Sequence, residues 1–376
     1  MSSQRPHRPP LRYRLLIGVG GLGSGMFFAL EGDHDLGRNE SRSGRLLDVR
    51  DYCKLHIISH YVAVLLRAAP QRPGLVVLPV GVLGDDAPGE RLRKEMAEAG
   101  MDLRFVRTAG DRSSLLSICF QYPDGSGGNI TTSDSAAAAL RSRDVDKVEP
   151  MLAQSRGACL ALAVPEAPLE ARDRLLHLAG GYGAFRVASV TSAEVPRAIA
   201  IDLFSQVDLL AINEDEAAAI AGGMPSGEQA HLLLDACAAR LVASNPAMRI
   251  VVTMGSRGAH GYSDGRWDYC PAADVDAVGT AGAGDALLAG VLIGLAGGLP
   301  LVGDGPGRMS FSERPLDSAL DLGTLLAGFS VTSLHTIHPE ADRRALSAFA
   351  ESLGASMSPE MANLLSGPAM CEGDAE

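Results

Sequence analysis

Residues 278–293 read VGTAGAGDALLAGVLI, a turn of small residues running into a long apolar segment. A glycine-rich turn that opens a helix leaves the first backbone N–H groups without intrahelical partners, at the positive end of the macrodipole. Such a pocket accepts a phosphate, or charge developing on one. Asp285 falls in the first turn, placed to take a proton from a hydroxyl held beside Gly282, Ala283 and Gly284. Phosphoryl transfer to an alcohol needs those two elements together. The same spacing also serves plain helix packing, with Asp285 an ordinary first-turn charge. On this stretch alone both readings stay open.

Working outward, the apolar helix needs a sheet to lie on, and the chain supplies one. Arg12–Val19, Gly74–Gly81, Ala158–Val164, Phe185–Val190, Val207–Ile212 and Arg249–Met254 are short runs rich in Val, Ile and Leu. Continuous apolar runs of this length suit strands buried on both faces of a parallel sheet. Between them lie helix-length segments at Lys54–Ala69, Pro88–Ala99, Leu169–Ala179, Glu214–Ala221 and Glu228–Ala243. The alternation predicts an α/β fold: a central, mostly parallel sheet with helices on both faces. Two stretches break it. Glu31–Asp48 is highly polar, and 104–132 holds short β-like runs around a Pro123–Gly128 turn. They are read as two pieces, 28–50 and 104–132, of a small β lid on a single domain spanning 12–353. Gly303–Pro315 reads as a surface loop, and 1–11 and 354–376 as flexible termini.

Two further motifs stand where open α/β sheets bind ligands. Asn213-Glu-Asp-Glu216 follows the strand Val207–Ile212, and acidic groups at a strand's carboxyl end suit Mg²⁺ held largely through water. Capping of the next helix by Asn213 explains the same residues. Thr253-Met-Gly-Ser-Arg-Gly258 is a tight turn between two strands. Gly255 and Gly258 either admit a nucleotide to the backbone or simply make the turn.

In combination these segments resemble the ribokinase-like (PfkB) carbohydrate kinase family. Residues 279–292 look like its D-T-x-G-A-G-D signature, Asn213–Glu216 its N-x-x-E and Thr253–Gly258 its T-x-G-x-x-G turn. The segment starting Gly81-Val-Leu-Gly-Asp-Asp resembles its G-x-x-G-x-D stretch. The resemblance covers most of 74–335, in family order. It implies an ATP-dependent kinase with Asp285 as base and the Gly282–Gly284 amides as anion hole. It further implies Thr253, Gly255, Gly258 and Thr280 at the nucleotide, and Asn213 and Glu216 at Mg²⁺. A sugar-like acceptor is implied, as is a homodimer through the lid, since such lids pair between subunits in relatives. The sequence departs from the pattern at Gly279, where the signature begins with aspartate, so little response to K⁺ is expected. The acceptor half departs further: relatives carry an aspartate after the first strand where this chain has Gly20–Gly25. Ser24, His60 and the lid arginines Arg38 and Arg42 are the acceptor candidates. A solvated face explains the two arginines equally, and a structural role explains the histidine.

Composition narrows the partners. The 376 residues are 46% hydrophobic and 21% charged, enough for a real core. A net charge of −12 argues against a nucleic-acid partner, which would need a basic face. Six scattered cysteines without a C-x-x-C pair indicate neither a zinc site nor a disulfide framework, and point to the cytoplasm. Two uncharged stretches, Leu15–Leu30 and Ala286–Gly303, imitate membrane signals. Both are interrupted by glycines, and the second is read as a buried helix ending near Gly297, so no membrane partner is expected. Three rivals remain. Gly18, Gly20 and Gly23 fit a dinucleotide fingerprint, but no helix pattern follows. A nucleoside kinase of the same superfamily would want aromatic walls, from among Phe27, Phe28, Tyr52 and Tyr61. A catalytically silent ligand-binding protein would have no need of Asp285 with Asn213 and Glu216.

Overall fold

The computed structural model describes residues 11–32, 34–70, 74–124, 127–223, 230–305 and 307–366. Among them, nine strands form the main sheet. These are β1 (Leu15–Val19), β4 (Val76–Gly84), β5 (Val106–Ala109), β8 (Cys159–Ala163), β9 (Phe185–Ala188), β10 (Leu209–Asn213), β11 (Arg249–Thr253), β12 (Ala259–Ser263) and β13 (Arg266–Cys270). The order is β13-β12-β11-β10-β9-β8-β1-β4-β5, and pairing is parallel except across β11–β12–β13. The six apolar runs all become strands of this sheet, within a few residues of their expected bounds. The start of the helix expected from Glu228 lies outside the described residues; the helix is seen from Ala230 to Ser244.

The helix Ala283–Ala296 shows why its sequence is apolar all round. Every residue from Ala286 to Ala296 is buried, because a second helix, Ala319–Ser330, lies directly against it. A Cβ at Gly290 would sit 2.7 Å from Gly323 Cα, so glycine there permits the close approach. Among the described residues, no helix is long and apolar enough to cross a membrane.

A second sheet, in the order β3-β2-β6-β7, forms the lid from β2 (Gly23–Leu30), β3 (Gly44–Tyr52), β6 (Leu115–Gln121) and β7 (Gly127–Thr131). Its extent differs from expectation at both pieces. β2 starts at Gly23, so Gly23 and Gly25 of the glycine run belong to the lid, and their strand replaces the helix that a dinucleotide fingerprint requires. RFVRT belongs to the main sheet, since β5 pairs in parallel with β4. The reason is burial: Val106 and Ala109 cover the sheet edge, whereas lid strands keep one face open.

Cross-strand register sorts the lid residues into two faces. Met26, Ile118 and Ile130 are directly opposite one another, as are Phe28, Phe120 and Leu46 through β2. This face is apolar and open, with Leu46 and Ile130 62% and 64% exposed. The other face carries Asp51, Ser117, Cys119 and Thr131.

Two C-terminal expectations are also corrected. The loop 303–315 is not merely solvated: Arg308 is buried and ion-pairs with Asp321 at 2.7 Å, and Phe311 is buried. The segment after Gly354 does not fray through its described length. Met361, Leu364 and Leu365 of the helix Pro359–Leu365 bury apolar side chains, so its pattern was amphipathic where its composition looked polar. Residues 1–10 and 367–376 lie outside the described residues.

Candidate active site

The signature turn closes on Gly282, whose φ of 80° places it in the left-handed region as N-cap of the helix Ala283–Ala296. No side chain caps this helix, so its first-turn amides, apart from that of Ala283, are left for a ligand. A Cβ at Gly282 would lie 2.9 Å from the Thr336 carbonyl oxygen, so glycine lets the turn lie against Thr336. Nothing lies within 4 Å of where a Cβ at Gly284 would be, so the helix end opens onto free space. Thr280 is exposed beside it, its carbonyl accepting from the Ala283 amide at 3.3 Å.

Asp285 projects from this first turn and meets Lys54 from the start of the helix Lys54–Leu66. Nζ lies 3.3 Å from Oδ1, with the two side chains 35% and 13% exposed. The Asp285 carboxylate is the main reason the Lys54 ammonium is pushed above the usual lysine range, with Glu166 and Glu216 adding to it. Lys54 therefore stays cationic. Its backbone amide also donates to Glu166 Oε2 at 3.0 Å.

Glu166 lies just past β8, in the left-handed region at φ 68°. Burial pushes its carboxyl up to about 7, although the Lys54 charge and amide pull the other way. Such a backbone conformation costs a non-glycine residue energy and persists only where the surroundings hold it. Here Glu166 packs on Gly21, where an added Cβ would meet Glu166 Cβ at 2.3 Å. The glycine run after β1 thus serves the approach of Glu166.

Asp51 faces the same cluster from β3. Burial raises its carboxyl above the usual range, and the Asp285 charge adds to the rise. Its Oδ2 accepts from the Cys119 thiol at 3.6 Å. A Cβ at Gly25 would fall 1.8 Å from that same oxygen, so the carboxylate occupies the space of a β2 side chain. Ser24 is buried next to it, opposite Tyr52. Thr336 ties this lid strand to the signature turn, since its Oγ1 accepts from the Tyr52 amide at 3.1 Å and its own amide donates to the Arg50 carbonyl at 3.1 Å.

On the nucleotide side, β10 and β11 place Asn213 directly beside Thr253. Asn213 and Glu216 cap one another's amides at 2.8 Å in both directions. Burial raises the Glu216 carboxyl, and both Lys54 and Asp285 act on it, so it faces the cluster. Gly255 and Gly258 turn with φ of 58° and 87°. Arg257 pairs with Glu214, fastening the turn to the helix Glu214–Ile220.

The acceptor candidates fare unevenly. Ser24 is buried at the start of β2, but register puts it on the lid face of Met26, opposite to that of Asp51. His60 lies outside the cluster, six residues along the helix from Lys54, about 9 Å at 1.5 Å per residue. Its ring is 6.0 Å from His56, and His56 packs on Tyr52, which bonds to Glu95 on another helix. Burial lowers His60 to about 4, so it is uncharged at neutral pH. Arg42 is committed inside the lid loop, donating to Glu40 Oε1 at 2.8 Å and to the His34 carbonyl at 2.6 Å. Arg38 is exposed.

Three site residues were not among the sequence candidates: Lys54, Glu166 and Asp51. Glu166 follows a strand's carboxyl end just as Asn213 does, and that position was a usable signal. Lys54 was legible as the opening of a helix. Asp51 left no signal, because its place depends on β2–β3 register.

Comparison with known proteins gives the family and the fold. The family model described as pfkB family carbohydrate kinase matches residues 68–343, so the match begins after Asp51 and Lys54. The chain is 24% identical to a ribokinase of Haemophilus influenzae over 264 residues, covering 70% of this chain and 78% of that protein. Its fold is similar to a ribokinase of Giardia lamblia, with a TM-score of 0.71, 15% identity and coverage of 91% and 99% of the two chains. A Cryptococcus neoformans ribokinase in complex with ADP gives 0.66 at 21% identity, covering 90% and 99%. A Burkholderia thailandensis nucleoside kinase in complex with inosine also gives 0.66, at 16% identity, covering 91% and 98%.

Proposed function

Because the chain belongs to the pfkB family of carbohydrate kinases, we propose that it transfers the γ-phosphoryl group of ATP to a hydroxyl of a neutral, hydroxyl-rich acceptor. The observation that carries this reading is Asp285 in the first turn of an uncapped helix end, paired with Lys54. Asp285 takes the acceptor's hydroxyl proton as that oxygen bonds to the γ-phosphorus. The bond from phosphorus to the β–γ bridging oxygen breaks, and ADP leaves with that electron pair. The amides of Gly282 and Gly284 face the charge on the transferring group, joined by the Ala283 amide as it leaves the Thr280 carbonyl, and Lys54 adds a fixed cation beside it. Thr253, Gly255, Gly258 and Thr280 border the nucleotide.

The residues suit Mg²⁺ held through its water shell. Asn213 and the Glu216 carboxylate are engaged in capping, yet Glu216 still faces the cluster. Bound there, the ion would offset charge on the phosphates.

Acceptor chemistry follows from charge. Asp285, Glu166 and Glu216 act on a single ammonium and Asp51 acts on Asp285, a carboxyl-rich setting that disfavours further anions and exchanges hydrogen bonds with hydroxyls. This disfavours an anionic acceptor clamped by Arg38 and Arg42. A nucleoside is the second reading. Phe27 shares the polar lid face with Cys119, where it can stack on a base, whereas Tyr61 is fully buried and Phe28 faces outward. Rates of ADP formation with sugars, polyols and nucleosides separate the two.

The open apolar lid face supports a homodimer through the lid, by its face rather than its edge. Leu46→Lys with Ile130→Lys is expected to yield monomers by light scattering. A wild-type monomer would remove the idea. For the chemistry, Asp285→Asn is expected to keep the fold and ATP binding while turnover falls about a hundredfold or more. Near-normal turnover in the folded variant returns Asp285 to a helix charge.

A further inference from the structure

The end of the sheet opposite Asp285 holds a second cleft, of about 930 Å³, at the amino ends of β1, β8, β9, β10 and β11. Its size is in the range that small-molecule sites occupy, and its chemistry is the reverse of the catalytic cluster. Four arginines line it, Arg12, Arg156, Arg186 and Arg249, against two carboxylates, Asp208 and Asp264. In a chain of net charge −12, that is a local reversal of sign. We propose that this cleft binds a small phosphate-bearing anion, at a site separate from phosphoryl transfer.

The arginines come from four segments that the fold brings together, and they divide into two roles. Arg186 is structural. Its Nε and Nη2 donate to Asp208 at 2.9 and 2.8 Å, and its backbone amide donates to the same carboxylate at 2.7 Å. That fork neutralises Asp208 and sets the wall. The other three form no ion pair among the described residues. Two of them are held by rings: Arg12 lies 5.3 Å from the centre of Tyr13, and Arg249 lies 5.5 Å from that of Phe185. The two rings are themselves 5.8 Å apart, so a Tyr13–Phe185 pair carries a guanidinium at each end. A ring beneath it restrains a guanidinium; Arg12 also hydrogen-bonds the Tyr13 hydroxyl, and the remaining N–H groups of both arginines can meet an oxyanion. Arg156 stands across from them on the residue before Gly157, at the turn into β8. Gly157, Gly180 and Gly183 line the cleft without side chains to fill it.

Planar guanidinium forks recognise phosphate by paired, charge-assisted hydrogen bonds, and three without carboxylate partners favour a dianion or an oligophosphate over a monoanion. Half-buried Phe185 adds an apolar edge for the rest of the ligand, while Tyr13 is buried beneath it. Nucleotides and sugar phosphates share this chemistry.

The test uses the full chain, with inorganic pyrophosphate as probe, followed by calorimetry. Wild-type protein is expected to bind it, and Arg156→Ala with Arg249→Ala to weaken that binding about tenfold or more. The KM for ATP and kcat in this variant should stay within about twofold, because neither residue is near Asp285. Should the double variant fail to fold, Arg156→Ala alone, at an exposed position, is expected to weaken binding measurably. Parallel titrations with ADP and ribose 5-phosphate identify the source: tighter binding of either than of pyrophosphate, lost in the variant, supports the site. Undetectable binding to wild type overturns the proposal. So does equal binding by both proteins, which would place the pyrophosphate at the Gly282–Gly284 amides alone.

Discussion

In the half of the site proposed for phosphoryl transfer, Gly282, Ala283, Gly284 and Asp285 are consecutive, and one turn of helix brings them together. In the half proposed for the acceptor, Asp51, Glu166 and Gly25 come from three distant segments. They meet through the register of β2 with β3 and the emergence of the chain from β8. The first half depends on local backbone geometry, and the second on how a lid seats on a sheet. Substitutions in the two should therefore separate kinetically. Changes at the turn act on kcat, and changes in the acceptor half act on the acceptor's KM and leave the KM for ATP alone.

After Asp285→Asn, the largest expected effects that sharpen this contrast lie at Asp51 and Glu166. Asp51→Asn and Glu166→Gln are each expected to raise the acceptor's KM about tenfold, as for loss of a hydrogen bond to a charged group. An equal rise in the KM for ATP would show that the halves are not separate. Glu166 also carries a pH signature. Its carboxyl is raised to about 7 in the folded chain from an ordinary value near 4.5. The folded protein then holds this proton more tightly than the unfolded one. Its contribution to stability is full below pH 4.5 and is lost as pH rises through about 7. Melting temperatures of wild type and Glu166→Gln should accordingly diverge across that interval, and parallel curves would contradict it.

Glu216→Gln is a smaller perturbation on the nucleotide side. It is expected to raise the Mg²⁺ concentration for half-maximal activity a few-fold, about 1 kcal/mol, with the acceptor's KM little changed. An unchanged Mg²⁺ titration would assign Glu216 to helix capping alone. The smallest effect is expected at the lid loop. Arg42 is engaged with Glu40 and His34 and Arg38 is exposed, so Arg38→Ala with Arg42→Ala should move the acceptor's KM by less than about threefold. A tenfold rise would restore the loop as an acceptor clamp.

The amount legible in advance differed in the same way between the halves. Six apolar runs alternating with helices were enough for the α/β sheet, since a strand buried on both faces shows itself in its own residues. The signature turn was legible because the role proposed for it uses backbone amides, and only small residues allow that approach. The lid was recognised by its texture but misjudged in extent, because Gly23–Leu30 and Val106–Ala109 look alike until their partners are known. His60 and Arg42 were attractive by residue type alone. Their neighbours, His56 for one and Glu40 for the other, decide that they are occupied elsewhere.

What the sequence determined by itself is therefore the scaffold, the kinase family and the glycine-rich turn to which we assign phosphoryl transfer, all carried by short-range patterns. Tertiary structure alone decided that Asp51 fills the space above Gly25, that Lys54 meets Asp285, and that Glu166 closes onto Gly21. It likewise decided that Arg12, Arg156 and Arg249 share one cleft. A strand's period places a side chain on a face but does not say which segment will lie opposite. Charges from distant segments acquire their pairing, burial and shifted protonation only when the sheet and lid bring them within a few ångströms.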